Sequence, residues 1–307
     1  MFKGDILLSI MNTRKPVAAL AAILLVALAL SACPPLDDGT PSIEMVRIAG
    51  GKFKMGSPPD EQNRRNDETL HEVTLTSFRI GKYEVTQAQY QSVMGSLPNS
   101  LTTGTYDYGR GDNYPVYYVN WYDTIVFCNK LSIRDGFTPA YSIKGSTDPS
   151  SWGAAPNTQT YAWDAAQIVP HSTGYRLPTE AQWEYACLAG TVTAYNTGAT
   201  ISEATGWYRD NSGKKTHEVG KKPPNKWGLY DMHGNVREWC WDFYDSITYI
   251  REGAAGPDPA YTRIDAHKVE RGGSYDSGGS GLRSAYRSYI NHHSRNMWTG
   301  FRLALPD

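Results

Sequence analysis

The sequence predicts a mixed domain of short β-strands and a few α-helices, connected by long irregular segments. Glycine, tyrosine and tryptophan are all numerous, with 29, 21 and 9 residues, which is typical of a compact domain rich in turns and aromatic contacts. The 307-residue chain is 40% hydrophobic and 20% charged, as expected for a globular protein. Its formal net charge of −1 leaves no basic excess, so no nucleic-acid partner is predicted.

Four short strands are predicted near the start of this domain. Hydrophobic and polar residues alternate over 45–48, 52–56, 71–76 and 78–80, which is the pattern of half-buried strands. Gly50 and Gly51 mark a turn between the first two strands. The charged stretch from Asp60 to Glu68 interrupts the alternation and therefore predicts a loop.

Three helices are predicted from their N-terminal caps. Thr86 with Gln89, and Thr179 with Gln182, have the spacing of a capping box, and Asn120 precedes a third apolar segment. The residues expected to end these helices are Gly95, Gly136 and Gly190. Two long polar segments, 139–161 and 191–205, are predicted to be irregular.

An apolar segment precedes the domain. Residues 17–30 are almost all Ala, Leu, Ile or Val, a run too short for a comfortable membrane span and typical of a signal-peptide core. The run ends in Leu30-Ser31-Ala32-Cys33, which resembles the lipobox of bacterial lipoproteins; an ordinary signal peptide with an incidental cysteine is the alternative. The expected division is a signal peptide at 1–32, a tether at 33–42 and a folded domain at 43–307. The resemblance implies a bacterial envelope protein held in the membrane by a lipid on Cys33, on the outer-membrane surface.

Three cysteines remain after Cys33, and an odd number cannot all pair within one chain. Cys128, Cys187 and Cys240 each have apolar or aromatic neighbours, so buried free thiols are predicted. No CxxC motif is present, so the sequence does not support a zinc or redox site of that type.

The segment 271–303 alternates between two kinds of residue. One kind forms a structural frame, by which we mean residues that support the fold. It includes a turn at Arg271-Gly-Gly-Ser274 and a closing strand at 300–305, with Phe301, Leu303 and Leu305 on one face. Further frame positions are Arg283, Ala285, Arg287 and Arg295. Between them lie aromatic and small polar residues without a period, which is the composition of an antibody paratope. A loop that covers the core and binds nothing is the alternative.

Several blocks, in this order, resemble the formylglycine-generating-enzyme (sulfatase-modifying factor) family. They span Ile48–Gly56, Tyr83–Tyr90, Pro115–Trp121, Tyr175–Ala186, Gly228–Trp239, Arg271–Ser274 and Gly300–Arg302. The resemblance implies an α+β, C-type-lectin-like fold with a twisted antiparallel sheet, two main helices and much irregular structure.

The sequence lacks the two cysteines on which the chemistry of this family's enzymes depends. Enzymes of this family have two cysteines after the Arg-Gly-Gly-Ser block, and the corresponding positions here hold Ser277 and Leu282. Neither side chain can act as a thiolate nucleophile or copper ligand, so no catalytic residue is predicted. The pair His292-His293 is expected at the surface rather than at a metal. The alternatives are a formylglycine-generating or related oxidoreductase and an inert envelope lipoprotein.

Within the same fold, the end of the chain resembles the lipidated variable proteins of diversity-generating retroelements. In that class, mutagenesis at adenines substitutes residues within a fixed frame, and the irregular positions here, Ser277 and Leu282 among them, hold largely the residues it produces. The resemblance implies a ligand-binding surface with aromatic anchors at Tyr275, Tyr286, Tyr289 and Trp298. The other residues predicted to bind the ligand are Asp276, Gly278, Ser280, Ser288, Ile290, His293, Asn296 and Met297.

A weak metal-site hypothesis accompanies the family resemblance. Asn211, Asn235 and Glu238 lie in blocks that hold calcium in the family's enzymes, so a structural calcium is one interpretation. The alternative is that Asn235 fixes the turn at Gly234 and Glu238 pairs with an arginine. No cofactor is required by either interpretation. The expected partner is a protein or other surface ligand, bound by a monomer.

Overall fold

A computed structural model describes residues 41–250, 254 and 256–307. The predicted signal peptide, the predicted lipidation site at Cys33 and most of the predicted tether lie outside the described residues. Within these ranges no helix is long and apolar enough to cross a bilayer.

The described chain alternates short strands and helices with long connections. The strands are β1 Met45–Ile48, β2 Gly51–Met55, β3 His71–Leu75, β4 Phe78–Gly81, β5 Tyr141–Ser142, β6 Gln167–Ile168, β7 Arg237–Phe243, β8 His267–Arg271, β9 Ser288–Asn291, β10 Thr299–Gly300 and β11 Ala304–Pro306. The α-helices are α1 Gln87–Met94, α2 Asn99–Thr103, α3 Trp121–Arg134, α4 Tyr161–Asp164 and α5 Glu180–Leu188. The four strands predicted at the start of the domain are confirmed to within a residue of these bounds.

The three predicted helix starts are confirmed by their cap geometry. The side chains of Thr86, Asn120 and Thr179 each accept from the third backbone N–H of their helix, and the side chain of that third residue accepts from the backbone N–H of the cap in return. Such a reciprocal cap satisfies two backbone groups that a helix start leaves open. At the other ends, Gly95 takes the left-handed conformation as predicted, whereas α3 stops at Arg134 and α5 is ended by Ala189.

Two sheets position the C-terminal segment. One has the order β10-β7-β8-β9, with β9 at its edge, and the other has the order β1-β4-β11. The predicted single closing strand at 300–305 is wrong, because β10 pairs in parallel with β7 whereas β11 pairs antiparallel with β4. Residues 301–303 cross between the two sheets. Arg302 is buried like its neighbours instead of alternating outward, since its guanidinium binds Glu238 inside the protein.

The core lies on both sides of the larger sheet. Helix α3 contributes one cluster, in which Trp121 donates through Nε1 to the carbonyl oxygen of Cys240 at 3.0 Å. Helix α5 contributes a second cluster around Trp183 and Val269. Cys128, Cys187 and Cys240 are buried and unpaired, which confirms the predicted free thiols.

Candidate binding surface

Buried arginines hold the C-terminal segment against the two cores. Arg271 is fully buried and donates to Glu180 at 3.1 Å and to Glu184 at 2.5 Å. It also donates to the carbonyl oxygen of Ser284 at 2.6 Å, which ties the start of the segment to its middle. Burial raises the pKa of Glu184 to about 7, although Arg271 opposes the shift.

Two further arginines of the segment reach different carboxylates. Arg287 donates two hydrogen bonds to Glu180, of 2.7 and 2.9 Å. Arg283 donates to both Glu68 and Glu61. Although burial opposes it, the charges of Arg287 and then Arg271 hold the pKa of Glu180 below its ordinary value. Forked arginine–carboxylate pairs of this kind fix geometry as well as charge. Arg295, less buried, binds Asp123 at the start of α3 in the same way.

Tyr275 was predicted as an exposed anchor, and the structure shows that this is wrong. Its side chain is 1% exposed and its ring stacks on Tyr108 with 6.2 Å between centroids. The preceding Gly272 and Gly273 both have positive φ, which turns the chain inward, and the backbone N–H of Tyr275 then donates to the carbonyl oxygen of Asn235. Its hydroxyl has no hydrogen-bond partner among the described residues.

Ser277 and Leu282 are buried too, so the expectation that they are displayed is also wrong. The Ser277 hydroxyl accepts from the backbone N–H of Ser274 at 3.0 Å and so closes a turn. Leu282 is fully buried in a small cluster with Tyr195 and Tyr208. The chain does reach the surface next to them: Ser280 is exposed, and Asp276 and Gly278, on either side of Ser277, are half-exposed beside Arg209.

Tyr286 and Tyr289 build one part of the exposed face. Tyr289 is 43% exposed and stacks on Tyr244 with 4.0 Å between ring centroids. The Tyr244 hydroxyl donates to Asp67 at 2.7 Å, and the guanidinium of Arg65 lies 5.3 Å from the centre of the Tyr286 ring. We call Arg65, Tyr244, Tyr286 and Tyr289 the tyrosine patch.

Open cavities lie on both sides of the tyrosine patch. One, of about 500 Å³, is lined by Tyr244, Tyr289 and Ile264, and the other, of about 530 Å³, is lined by Tyr244, Arg65 and Ile247. The sequence did not indicate Tyr244 or Arg65, since both lie more than twenty residues outside the segment 271–303. Only the tertiary structure brings Tyr244 beside Tyr289 and Arg65 beside Tyr286.

The second part of the face surrounds a buried carboxyl group. Ser288 donates to one oxygen of Glu270 at 3.3 Å, and Thr299 donates to the other at 2.6 Å. Burial raises the pKa of Glu270. The side-chain oxygen of Asn296 lies 2.9 Å from the same Thr299 hydroxyl, and the half-exposed Trp298 ring lies 6.0 Å from the guanidinium carbon of Arg237. We call the residues Ser288, Ile290, Asn296, Met297 and Trp298 the tryptophan patch; the half-exposed His293 lies in the same stretch of chain.

The surface position predicted for His292 is wrong. Its side chain is fully buried, and Nε2 lies 2.8 Å from Oδ1 of Asp164, which the Tyr122 hydroxyl also contacts. The neighbouring His293 is half-exposed, as expected for adjacent residues that point to opposite sides. Within the described part of the chain, no group of three or more His, Cys, Asp or Glu side chains is placed to hold a metal ion.

The three residues of the calcium hypothesis already have hydrogen-bond partners within the protein. The Asn211 side-chain oxygen accepts from the backbone of Tyr208, and that of Asn235 accepts from the backbone of His217. Both carboxylate oxygens of Glu238 accept from Arg302, at 2.6 and 2.7 Å, so a cation already neutralises this group. The arginine partner proposed for Glu238 is confirmed. The structural calcium stays a prediction, and it would need further oxygen ligands beside these three side chains.

Comparisons with known proteins agree with this architecture. A family model described as the sulfatase-modifying factor enzyme 1-like domain matches residues 34–306. The chain belongs to this family. A curated relative, the chaperone protein LppX of Paenibacillus barcinonensis, is 36% identical over 235 residues, which are 70% of this chain and 77% of the relative. A formylglycine-generating enzyme of Streptomyces coelicolor is 29% identical over 288 residues, which are 84% of this chain and 88% of that enzyme.

A solved structure is also similar to this chain. Treponema denticola variable protein 1 superposes with a TM-score of 0.75 and 34% identity, covering 88% of this chain and 97% of its own. The resemblance to the family and to its variable members is thereby confirmed, as is the predicted α+β, C-type-lectin-like fold.

Proposed function

We propose that this protein is a non-catalytic binding protein that recognises a surface ligand through the exposed side chains between residues 276 and 298. The observation that carries the proposal is the separation of roles within one segment. Four arginines, at 271, 283, 287 and 302, are fully buried in carboxylate pairs, while eleven of the twelve residues predicted to bind ligand are half-exposed or exposed. Side chains on such a frame can change without loss of the fold. The similarity to a variable protein of Treponema denticola supports the same function.

The composition of the exposed face favours a protein ligand. Tyrosine and tryptophan bury much area at little conformational cost, and such anchors dominate protein interfaces. Tyr286, Tyr289 and Trp298 supply three anchors, two in the tyrosine patch and one in the tryptophan patch. Neither patch presents a charged cluster of a single sign, which agrees with the near-neutral chain.

The environment of the two thiol positions argues against the enzymatic alternative. The Ser277 hydroxyl is used in a turn, and Leu282 fills a buried cluster, so both positions where the family's enzymes need thiols hold buried side chains without a thiol. The cysteines elsewhere do not replace them. Burial raises the pKa of Cys128 and Cys240, and that of Cys187 to about 12, so all three are protonated thiols at neutral pH. A sulfatase-type cysteine peptide incubated with the protein, copper and oxygen is expected to keep its mass.

Display on the cell is a separate part of the proposal. The Leu-Ser-Ala-Cys sequence at 30–33 is proposed to anchor a monomer through lipid on Cys33 at the bacterial outer-membrane surface. Cells labelled with a clickable palmitate should show label on the protein and lose it in Cys33→Ser. Equal label in both forms would contradict the anchor.

Binding is tested with a matched pair of variants. A ligand is first identified by screening the protein against surface extracts and then purified. The triple variant Tyr286→Ala, Tyr289→Ala and Trp298→Ala should weaken binding at least about 30-fold, since each anchor commonly contributes about 2 kcal/mol. Tyr275→Phe is the control, because that ring is buried. Unchanged affinity in the triple variant, with an intact circular-dichroism spectrum, would place the site elsewhere.

A further inference from the structure

A groove lies between strand β2 and the end of helix α5, along the free edge of β2. It has a volume of about 520 Å³, within the roughly 300–1,000 Å³ typical of ligand sites. Three consecutive residues of β2, Lys52, Phe53 and Lys54, line it. Since successive side chains of a strand project to opposite faces, a cavity that meets all three lies at the strand's edge.

That edge has no strand partner within the described ranges. β2 pairs with β3 alone, in register from Gly51 opposite Leu75 to Met55 opposite His71. The other edge of this two-stranded sheet is covered, because Asp258 donates its backbone N–H to the carbonyl oxygen of Thr74. Among the residues that the structure describes, the hydrogen bonds on this side of β2 lie at its ends, where Tyr185 donates to the carbonyl oxygen of Ala49 and the N–H of Gly56 donates to Glu184.

The floor and far wall of the groove are apolar. The rings of Phe53, Tyr185 and Trp227 contact one another in sequence, with centroids 5.0 and 4.8 Å apart. Val192 also lines the groove, and its side chain is 89% exposed. These residues form a slot for an apolar side chain directly beside the backbone of β2.

The rim of the groove is positively charged. Lys52 and Lys54 share a single carboxylate, that of Glu72, at 3.3 and 3.8 Å. Glu61 also lines the groove, but its carboxylate is already bound to Arg283 at 2.6 Å. Two ammonium groups against one available carboxylate leave net positive charge beside the open edge.

We propose that an extended, acidic peptide segment of a partner protein adds a strand to β2 in this groove. Main-chain hydrogen bonds to the free edge would give affinity, and an apolar side chain in the aromatic slot, flanked by Asp or Glu, would give specificity. A second copy of this chain is disfavoured as the occupant. Antiparallel pairing of β2 with itself would set the lysines of the two copies against each other, which is how natural edge strands avoid self-association.

Selection from a phage-displayed library of random linear peptides on the full chain tests the proposal. The enriched peptides should combine an apolar residue with flanking acidic residues. Val192→Glu places a carboxylate on the far wall and should weaken a selected peptide about tenfold through like-charge repulsion, whereas Val192→Lys should not. Lys52→Glu with Lys54→Glu should weaken it further, and the matched double reversal Lys130→Glu with Lys215→Glu, outside the groove, should have no effect.

N-methylation of the selected peptide then tests the hydrogen-bonding mode. Methyl groups on alternate amides should abolish binding in one register and be tolerated in the other, because only one edge of the added strand faces β2. The triple variant of the tyrosine and tryptophan patches should bind the peptide as the native protein does, so this site can fail or succeed independently of the ligand-binding face. Failure to enrich peptides, equal tolerance of both methylation registers, or dimerisation through β2 would overturn the proposal.

Discussion

Arg283 joins the C-terminal segment to Glu68, a residue 215 positions earlier in the chain, through two hydrogen bonds of 2.7 and 2.8 Å. The same guanidinium donates to Glu61 and to the carbonyl oxygen of Asn63. The loop at 60–68 is therefore one of the supports of the C-terminal segment. A control substitution in this loop must avoid Glu61 and Glu68.

We expect Glu68→Gln to destabilise the protein by about 3 kcal/mol, because it removes one partner of a buried ion pair and leaves Arg283 poorly compensated. Urea unfolding followed by circular dichroism measures this. Asp60→Asn, at an exposed position of the same loop, is the matched control and should change the free energy of unfolding by less than about 0.5 kcal/mol. Similar losses in both variants would show that Arg283 does not depend on Glu68.

Substitutions of buried frame residues and of exposed residues in the C-terminal segment should differ in their effect on the free energy of unfolding. Phe301→Ala is expected to cost on the order of 3–5 kcal/mol, since the ring is fully buried and contacts Tyr90 and Phe127 edge-on. Ser280→Ala should cost less than about 0.5 kcal/mol. Tyr289→Ala should lie between them, at about 1 kcal/mol, because it loses its stacking on Tyr244. Thermal unfolding of the three variants would refute this order if Ser280→Ala proved as costly as Phe301→Ala.

Tyr275→Phe should raise the free energy of unfolding by about 1 kcal/mol. The hydroxyl is buried without a partner, and removing an unsatisfied buried polar group recovers part of its desolvation cost. The ring itself, stacked on Tyr108, is retained. A marked decrease in the melting temperature would mean that the hydroxyl is hydrogen-bonded in solution.

His233 should make the protein less stable in mild acid. Burial lowers the pKa of this imidazole to about 4, and it bridges the carbonyl oxygen of Leu282 and the backbone N–H of Asn196. Between pH 6.5 and 4 the unfolded chain binds the proton that the folded protein excludes, so stability falls as pH falls through this window. The expected loss is about 3 kcal/mol across it.

His233→Gln keeps a donor and an acceptor but cannot titrate, so it isolates this effect. The free energy of unfolding of the native protein should drop relative to that of the variant between pH 6.5 and 4, and the difference should be constant above pH 7. Parallel pH profiles for the two proteins are the contradicting result.

Local features of the chain were predictable because they depend on neighbours in sequence. The caps at Thr86, Asn120 and Thr179 satisfy backbone groups three residues away, and the strand alternation at 45–48 reflects burial of one face. The division of the C-terminal segment into buried supporting residues and exposed residues was largely correct as well. The arginines that recur among its small polar residues indicated a structural role, and most of them are buried.

The sequence alone therefore determined the family, the fold, the helix starts and which segment carries the exposed residues. Each of these can be predicted from a local residue pattern or from the order of motifs along the chain. Only the tertiary structure decided that Tyr275, Leu282 and His292 are buried. It alone placed Tyr244 beside Tyr289 and Arg65 beside Tyr286, and joined Arg283 to Glu68. These relations join residues far apart in the chain. Whether a side chain is buried depends on what the rest of the fold places over it, and no local spacing encodes that.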